Sequence, residues 1–231
     1  MNPLGTLSLV IPLYNEADNI PSLVHTLTSC FTHAHIPYQL ILVNNGSSDA
    51  TPELIATFAQ KNSCITPVTI PVNQGYGHGI ITGLHAARGD YVGYTDGDNQ
   101  IPSAVIAEAY TKLFHEHFDL VKGRRSHRED GLLRTICSQS YDILFRIMFG
   151  VPYSQVNSKP KLMKRKVYEQ MHLTSKDWFI DSEIMIHAHK LGCSVAEVNY
   201  TFKKRFRGAS AVKPRIIIEF LKNLYKYKIR E

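Results

Sequence analysis

No CxxC pair occurs in this chain: its four cysteines, Cys30, Cys64, Cys137 and Cys193, stand far apart. That scatter argues against a disulfide framework or a structural zinc site and makes a reducing cytosol the expected setting. No apolar run approaches the ~20 residues a bilayer span requires, so a soluble or peripheral protein is expected. The opening MNPLGTLSLVIPLYNEA lacks a basic leader segment and enters a strand pattern at once, so no signal peptide is expected. Basic residues are scarce in the first half. Residues 1–120 hold three Lys or Arg against ten Asp or Glu, whereas residues 121–231 hold 23 against ten. The net charge of +6 therefore hides an acidic half suited to a metal and a basic half suited to anions. Helix-turn-helix, zinc-finger and RNP-like patterns are missing, so nucleic acid is not the expected anion. Internal repeats and low-complexity linkers are missing too. A chain of 231 residues, 44% hydrophobic and 20% charged, reads as one globular domain with a C-terminal elaboration.

What is present is an alternation of strand and helix signals. LSLVIPL (residues 7–13) is a continuous apolar run, as expected of a strand buried on both faces. Helical spacing follows over residues 20–31, then a strand at 39–43. A helix opens at Thr51 and Pro52, which suit a cap and a first helical position. Strands at 65–70, 90–95 and 119–123 alternate with helices near 78–87 and 103–117. Repeated β-α units predict an α/β fold, a mostly parallel sheet flanked by helices on both faces. The second half is less regular. RRSHREDGLLR (124–134) reads as a polar loop, 138–150 and 181–192 as amphipathic helices, and 194–202 as a strand. The chain closes on a basic amphipathic helix over 214–231. The expected division is a domain over 1–213, its halves 1–120 and 121–213, followed by that helix.

Ligands of such sheets sit beyond the carboxyl ends of the strands. At one such end VGYTDGDNQIP puts Asp96 and Asp98 either side of Gly97. Carboxylates that close repel unless a cation lies between them. In an extended segment Asp96, Asp98 and Gln100 face one way, an oxygen set that suits Mg²⁺ or Mn²⁺ shared with substrate phosphates. An EF-hand is excluded, because Ile101 and Ala107 stand where its glycine and glutamate belong. NNGSSDAT and NQGYGHG add two more loops at strand ends. The second is neither a Walker A loop nor a dinucleotide fingerprint.

These segments carry a resemblance. VIPLYNEADNI, VNNGSSDAT, NQGYGHGIITGLHAARGDY and TDGDNQ occur in the order and spacing of family 2 glycosyltransferases with the GT-A fold, over roughly the first 120 residues. The resemblance implies that Pro12, Tyr14, Glu16, Asn45 and the loop at Gly75 line the nucleotide pocket together with Asp96. It implies that Asp96, Asp98 and Gln100 hold the metal and diphosphate. Asn44 and Asn45 stand where relatives often carry acids, which leaves the nucleobase open. The stretch GRRSHREDGLLRTICSQ resembles dolichyl-phosphate mannose synthase and bacterial polyprenyl-phosphate glycosyltransferases. There the matching positions, Arg125, Arg134 and Ser138, hold the lipid phosphate, and RFRGAS adds Arg205, Gly208 and Ser210. Arginine forks suit phosphate oxygens. Asp181 and Glu183 are candidate bases or plain polar helix positions.

The resemblance implies a metal-dependent inverting transferase. It would move a sugar from a nucleoside diphosphate to polyprenyl phosphate, on the cytosolic membrane face, with an anionic surface and a possible membrane-protein partner. Two alternatives stand beside it: transfer to a sugar hydroxyl of a surface glycan with Asp181 or Glu183 as base, and a non-catalytic nucleotide-binding module.

Overall fold

The computed structural model describes residues 5–128, 132–202, 224 and 227–229. Strand β1 (Leu7–Leu13) is the third strand of a seven-stranded sheet, with β2 (Tyr38–Asn45) and β3 (Ile65–Ile70) on one side. On its other side follow β4 (Tyr91–Tyr94), β6 (Lys161–Lys164), β5 (Leu120–Arg128) and β7 (Val195–Phe202). Every pairing is parallel except the two that β6 makes with β4 and β5. The mostly parallel sheet expected from the sequence is therefore the one observed.

Side chains alternating along the strands feed two cores. Leu7, Leu9, Ile11 and Leu13 of β1 and Leu40 and Leu42 of β2 face the layer of α1 (Ile20–His33), α2 (Thr51–Lys61) and α4 (Ser103–His115). Val10, Ile41 and Val43 face the other layer, with Ile80 and Leu84 of α3 (Tyr76–His85). Phe145 of α5 (Leu132–Phe149), Val167 of α6 (Arg165–Met171) and Ile184 of α7 (Ile180–Lys190) complete it. Both faces of the strands are dry, which is why the runs are continuous rather than alternating.

One expectation fails at 124–134. Its described residues are instead the end of β5 (124–128), which pairs with β7 as far as Arg128 opposite Phe202, and the first turn of α5 (132–134). Its polar side chains fit a strand because this ribbon runs past the sheet: Arg124 is exposed and bonds Glu197 across the pair at 3.1 Å. Strand β6 and helix α6 carried no sequence signal, since lysines bound the four-residue strand. The boundary at 213/214 lies outside the described residues. Of the closing helix, Leu224 is buried and the Tyr227 ring packs 5.0 Å from Phe179, so both belong to the protein core.

Candidate active site

The ends of β1 and β2 are laced together. Asn15, at φ 53°, accepts the Ser48 amide at 2.8 Å, and Asp49 accepts the amides of Ala17 and Thr51 at 3.1 Å each. Burial pushes the Asp49 carboxyl up, but the hydrogen bonds from Thr51 and Ala17 outweigh it and hold the group below its usual range. Along this edge Pro12 is half-buried and Tyr14 exposed, and the Glu16 carboxylate accepts the Asn19 amide. Asn45 is buried; its Nδ2 donates to the Gly75 carbonyl at 3.0 Å, and its Oδ1 has no hydrogen-bond partner among the described residues.

The glycine loop after β3 packs closely on the second half of the chain. Gly75 has φ 114°, and a Cβ there would lie 2.3 Å from the Lys176 carbonyl; one at Gly77 would lie 2.2 Å from that of Ser175. His78 donates its amide to Lys176 at 3.0 Å. The glycines therefore let residues 174–177 of the second half close onto the first.

Tyr76, between them, brings the loop to the acidic pair. Its hydroxyl donates to Asp96 Oδ1 at 2.6 Å, and its ring stacks on Trp178 with centroids 4.3 Å apart. The extended geometry expected for 96–100 does not persist: Asn99 has φ 59°, and Asp98 Oδ1 accepts the Gln100 amide at 3.1 Å. The segment turns there because Asp98 caps its own bend, so Asp96 and Gln100 are not related by strand alternation.

Behind Asp96 lies a buried charge cluster that the sequence did not disclose. Asp181 accepts the Tyr94 hydroxyl at 2.6 Å, meets Lys159 Nζ at 2.9 Å and also bonds Lys161. Burial pushes the Asp181 carboxyl up, yet the two ammonium groups overcome it and hold the group at about 2. Burial drives Lys161 down to about 8, whereas Lys159, facing both Asp181 and Asp96, is raised. Of the two partners, Asp181 gives the direction that decides the pair, because three groups stabilise its ionised form. Glu183, equally buried, accepts the Thr174 amide and hydroxyl at 3.0 and 2.9 Å and the Ser175 amide at 2.9 Å. The two candidate bases are thus engaged, one with buried lysines and one in holding the 174–175 turn. Lysines two apart around Pro160, with a buried aspartate twenty residues on, are the only trace of this cluster in the sequence.

Around Arg125, the Arg125 backbone amide donates to Gln155 Oε1 at 2.9 Å, and the Gln155 amide donates to Asp142 at 2.8 Å. Burial raises the Asp142 carboxyl despite these amides and the nearby charges of Lys122 and Arg125. The Arg125 charge opposes the ionisation of Lys159. Arg134 and Ser138 share one face of α5 at a four-residue spacing. The side chain of Arg134, and Arg205, Gly208 and Ser210 altogether, lie outside the described residues.

The model of glycosyl transferase family 2 matches residues 8–180. The chain belongs to that family. It is 29% identical over 172 residues to the undecaprenyl-phosphate 4-deoxy-4-formamido-L-arabinose transferase of Serratia proteamaculans, covering 74% of this chain and 52% of that protein. Against the enzyme of the same name from Yersinia enterocolitica the identity is 30% over 176 residues, 75% of this chain and 54% of the other. The chain thus spans about half the length of these relatives. Among crystal structures, mannosyl-3-phosphoglycerate synthase from Rubrobacter xylanophilus superposes with a TM-score of 0.77 at 16% identity, covering 98% of this chain and 74% of that one. Glucosyl-3-phosphoglycerate synthase from Mycobacterium tuberculosis, in complex with Mn²⁺, UDP-glucose and phosphoglyceric acid, gives 0.73 at 20% identity over 95% and 79%. These likenesses carry the GT-A fold.

Among the described residues no three His, Cys, Asp or Glu side chains converge as a complete metal cage. Mg²⁺ or Mn²⁺ shared with substrate phosphates needs only one or two protein carboxylates and takes its other oxygens from phosphate and water. Asp96, with 22% of its side chain exposed, and Asp98 have the donor chemistry for that part.

Proposed function

We propose that this chain carries out metal-dependent, inverting glycosyl transfer from a nucleoside-diphosphate sugar to a polyprenyl phosphate of the dolichyl or undecaprenyl type. The observation that carries the acceptor assignment is the engagement of both candidate bases: Asp181 by Lys159, Lys161 and Tyr94, and Glu183 by Thr174 and Ser175. A sugar hydroxyl must surrender a proton as it attacks and wants a positioned base. A polyprenyl phosphate is already anionic at neutral pH and needs orientation and desolvation instead. The undecaprenyl-phosphate names of the Serratia and Yersinia relatives support the same acceptor.

In this reading Pro12, Tyr14, Glu16, Asn45 and Gly75 surround the nucleoside, and the unpartnered Asn45 Oδ1 accepts a hydrogen bond from it. Asp96 and Asp98, aided by Gln100, would hold Mg²⁺ or Mn²⁺. When bound, the metal neutralises charge on the departing nucleoside diphosphate. Arg125, Arg134, Ser138 and Arg205 grip the acceptor phosphate and aim one of its oxygens at the anomeric carbon, whose single displacement inverts it. No described helix is long and apolar enough to cross a membrane. Exposed Ile143 and Ile147 of α5 and the basic closing segment are the surface features that would meet the cytosolic membrane face.

The test is a panel of nucleotide sugars with Mg²⁺ or Mn²⁺ and short polyprenyl phosphates, read by product mass. A sugar-phosphate-polyprenol product is expected. Transfer only to glycan hydroxyls would favour the surface-glycan reading, and nucleotide binding without turnover the non-catalytic module.

A further inference from the structure

Both oxygens of Asp96 face groups of this protein. Oδ1 takes the Tyr76 hydroxyl, and Oδ2 faces Lys159 Nζ at 3.9 Å. The Lys159 side chain is only 6% exposed. It lies over the rings of Tyr76 and Trp178, at 5.0 and 5.8 Å from their centroids, and reaches Asp181 at 2.9 Å. Asp181 is shared by two ammonium groups, Lys159 and Lys161, so this buried trio carries one surplus positive charge. Asp96 is the carboxylate that meets the surplus. A divalent cation arriving at Asp96 alone would displace that balance and sit beside a like charge in a poorly solvated place.

We propose that Lys159 and the metal are alternative counter-ions of Asp96. The ammonium neutralises the carboxylate while the donor is absent, and turns to the donor's diphosphate oxygens when nucleotide and metal arrive together. This rests on the donor-site reading above. Its consequence is that free protein binds the metal weakly, while the diphosphate, by giving Lys159 another anionic partner, makes metal binding strong. Lys159 is on this account a positioning residue that couples the two ligands.

The experiment is Mn²⁺ titration of the purified protein, read by electron paramagnetic resonance of free Mn²⁺, without nucleotide and with saturating UDP or GDP. It is run on wild type, Lys159→Met and Lys159→Arg, with melting temperatures as the folding control. The Met variant keeps the chain's packing on the two rings but not the charge. It should bind Mn²⁺ alone about five- to tenfold more tightly, and the gain conferred by nucleotide should shrink. The Arg variant should follow wild type. A folded Met variant whose Mn²⁺ affinity is unchanged or weaker overturns the proposal, because a purely structural lysine moves affinity that way. Should Lys159→Met not fold, Lys159→Gln is measured in its place under the same criteria, and a wild-type Mn²⁺ affinity independent of nucleotide overturns the proposal. Wild type that binds neither Mn²⁺ nor nucleotide removes the donor-site reading itself, an outcome distinct from an unaltered Met variant.

Discussion

The Tyr76 hydroxyl donates to Oδ1 of Asp96 at 2.6 Å and ties the glycine loop after β3 to the acidic turn after β4. Tyr76→Phe keeps the stack on Trp178 and removes only the donor. A hydrogen bond to a charged group contributes about 1.5–3 kcal/mol. Turnover should therefore fall roughly ten- to a hundredfold with little change in melting temperature. Steady-state kinetics at several Mn²⁺ concentrations would check this, and wild-type rates would show that Asp96 needs no orienting partner.

Asp98→Asn should abolish most activity and leave the fold intact, because an amide oxygen still accepts the Gln100 N–H that closes the turn. Circular dichroism and product formation, each with and without EDTA, are the measurements. A fully active variant in EDTA would sink the metal mechanism.

Arg134→Ala should raise the acceptor KM or lower kcat roughly ten- to a hundredfold while nucleotide affinity stays constant. Calorimetry with the nucleotide separates the two sites. Nucleotide binding that drops in step with activity would move Arg134 to the donor side.

Stability in acid should depend on Asp119. Burial pushes its carboxyl up, but Lys164 at 2.8 Å and the Ser194 amide and hydroxyl hold it down at about 2, below the ordinary 3.8. Between those values the unfolded chain binds more protons than the folded one. The stabilisation is therefore complete above pH ~4 and is lost as pH falls through the folded value. After allowance for solvent screening it amounts to about 1–2 kcal/mol. Asp119→Asn should lower the melting temperature at pH 7 and flatten its decline from pH 5 to 2. Parallel wild-type and variant curves would refute the assignment.

The +13 charge of residues 121–231 should draw the protein to anionic liposomes at low salt, less at high salt, and hardly at all to neutral ones. Co-sedimentation measures this. Replacing Lys222, Lys226, Lys228 and Arg230 by Gln, which keeps Leu224 and Tyr227 in the core, should weaken the association. Equal recovery on neutral and anionic vesicles would reject an electrostatic anchor.

The sheet and the family are legible in the sequence because both rest on local signals. Continuous apolar runs at 7–13 and 39–43 mark strands dry on both faces, and the acids at 96 and 98 stand where such a strand stops. The polar stretch 124–134 misleads because a ribbon beyond the sheet edge can present a charged side chain such as Arg124 to solvent while its backbone stays paired. Period and polarity do not register that case.

Left to itself the sequence determined which residue types stand at the strand ends, and therefore the α/β class and the acidic and basic halves. Tertiary structure alone decided what those residues do to one another. Burial turned Lys159, Lys161 and Asp181 from surface-like charges into one coupled cluster, and occupied two carboxylates that spacing had offered as bases. The reason is physical: a charge's role depends on its desolvation and on partners far along the chain, and neither is written in its neighbours.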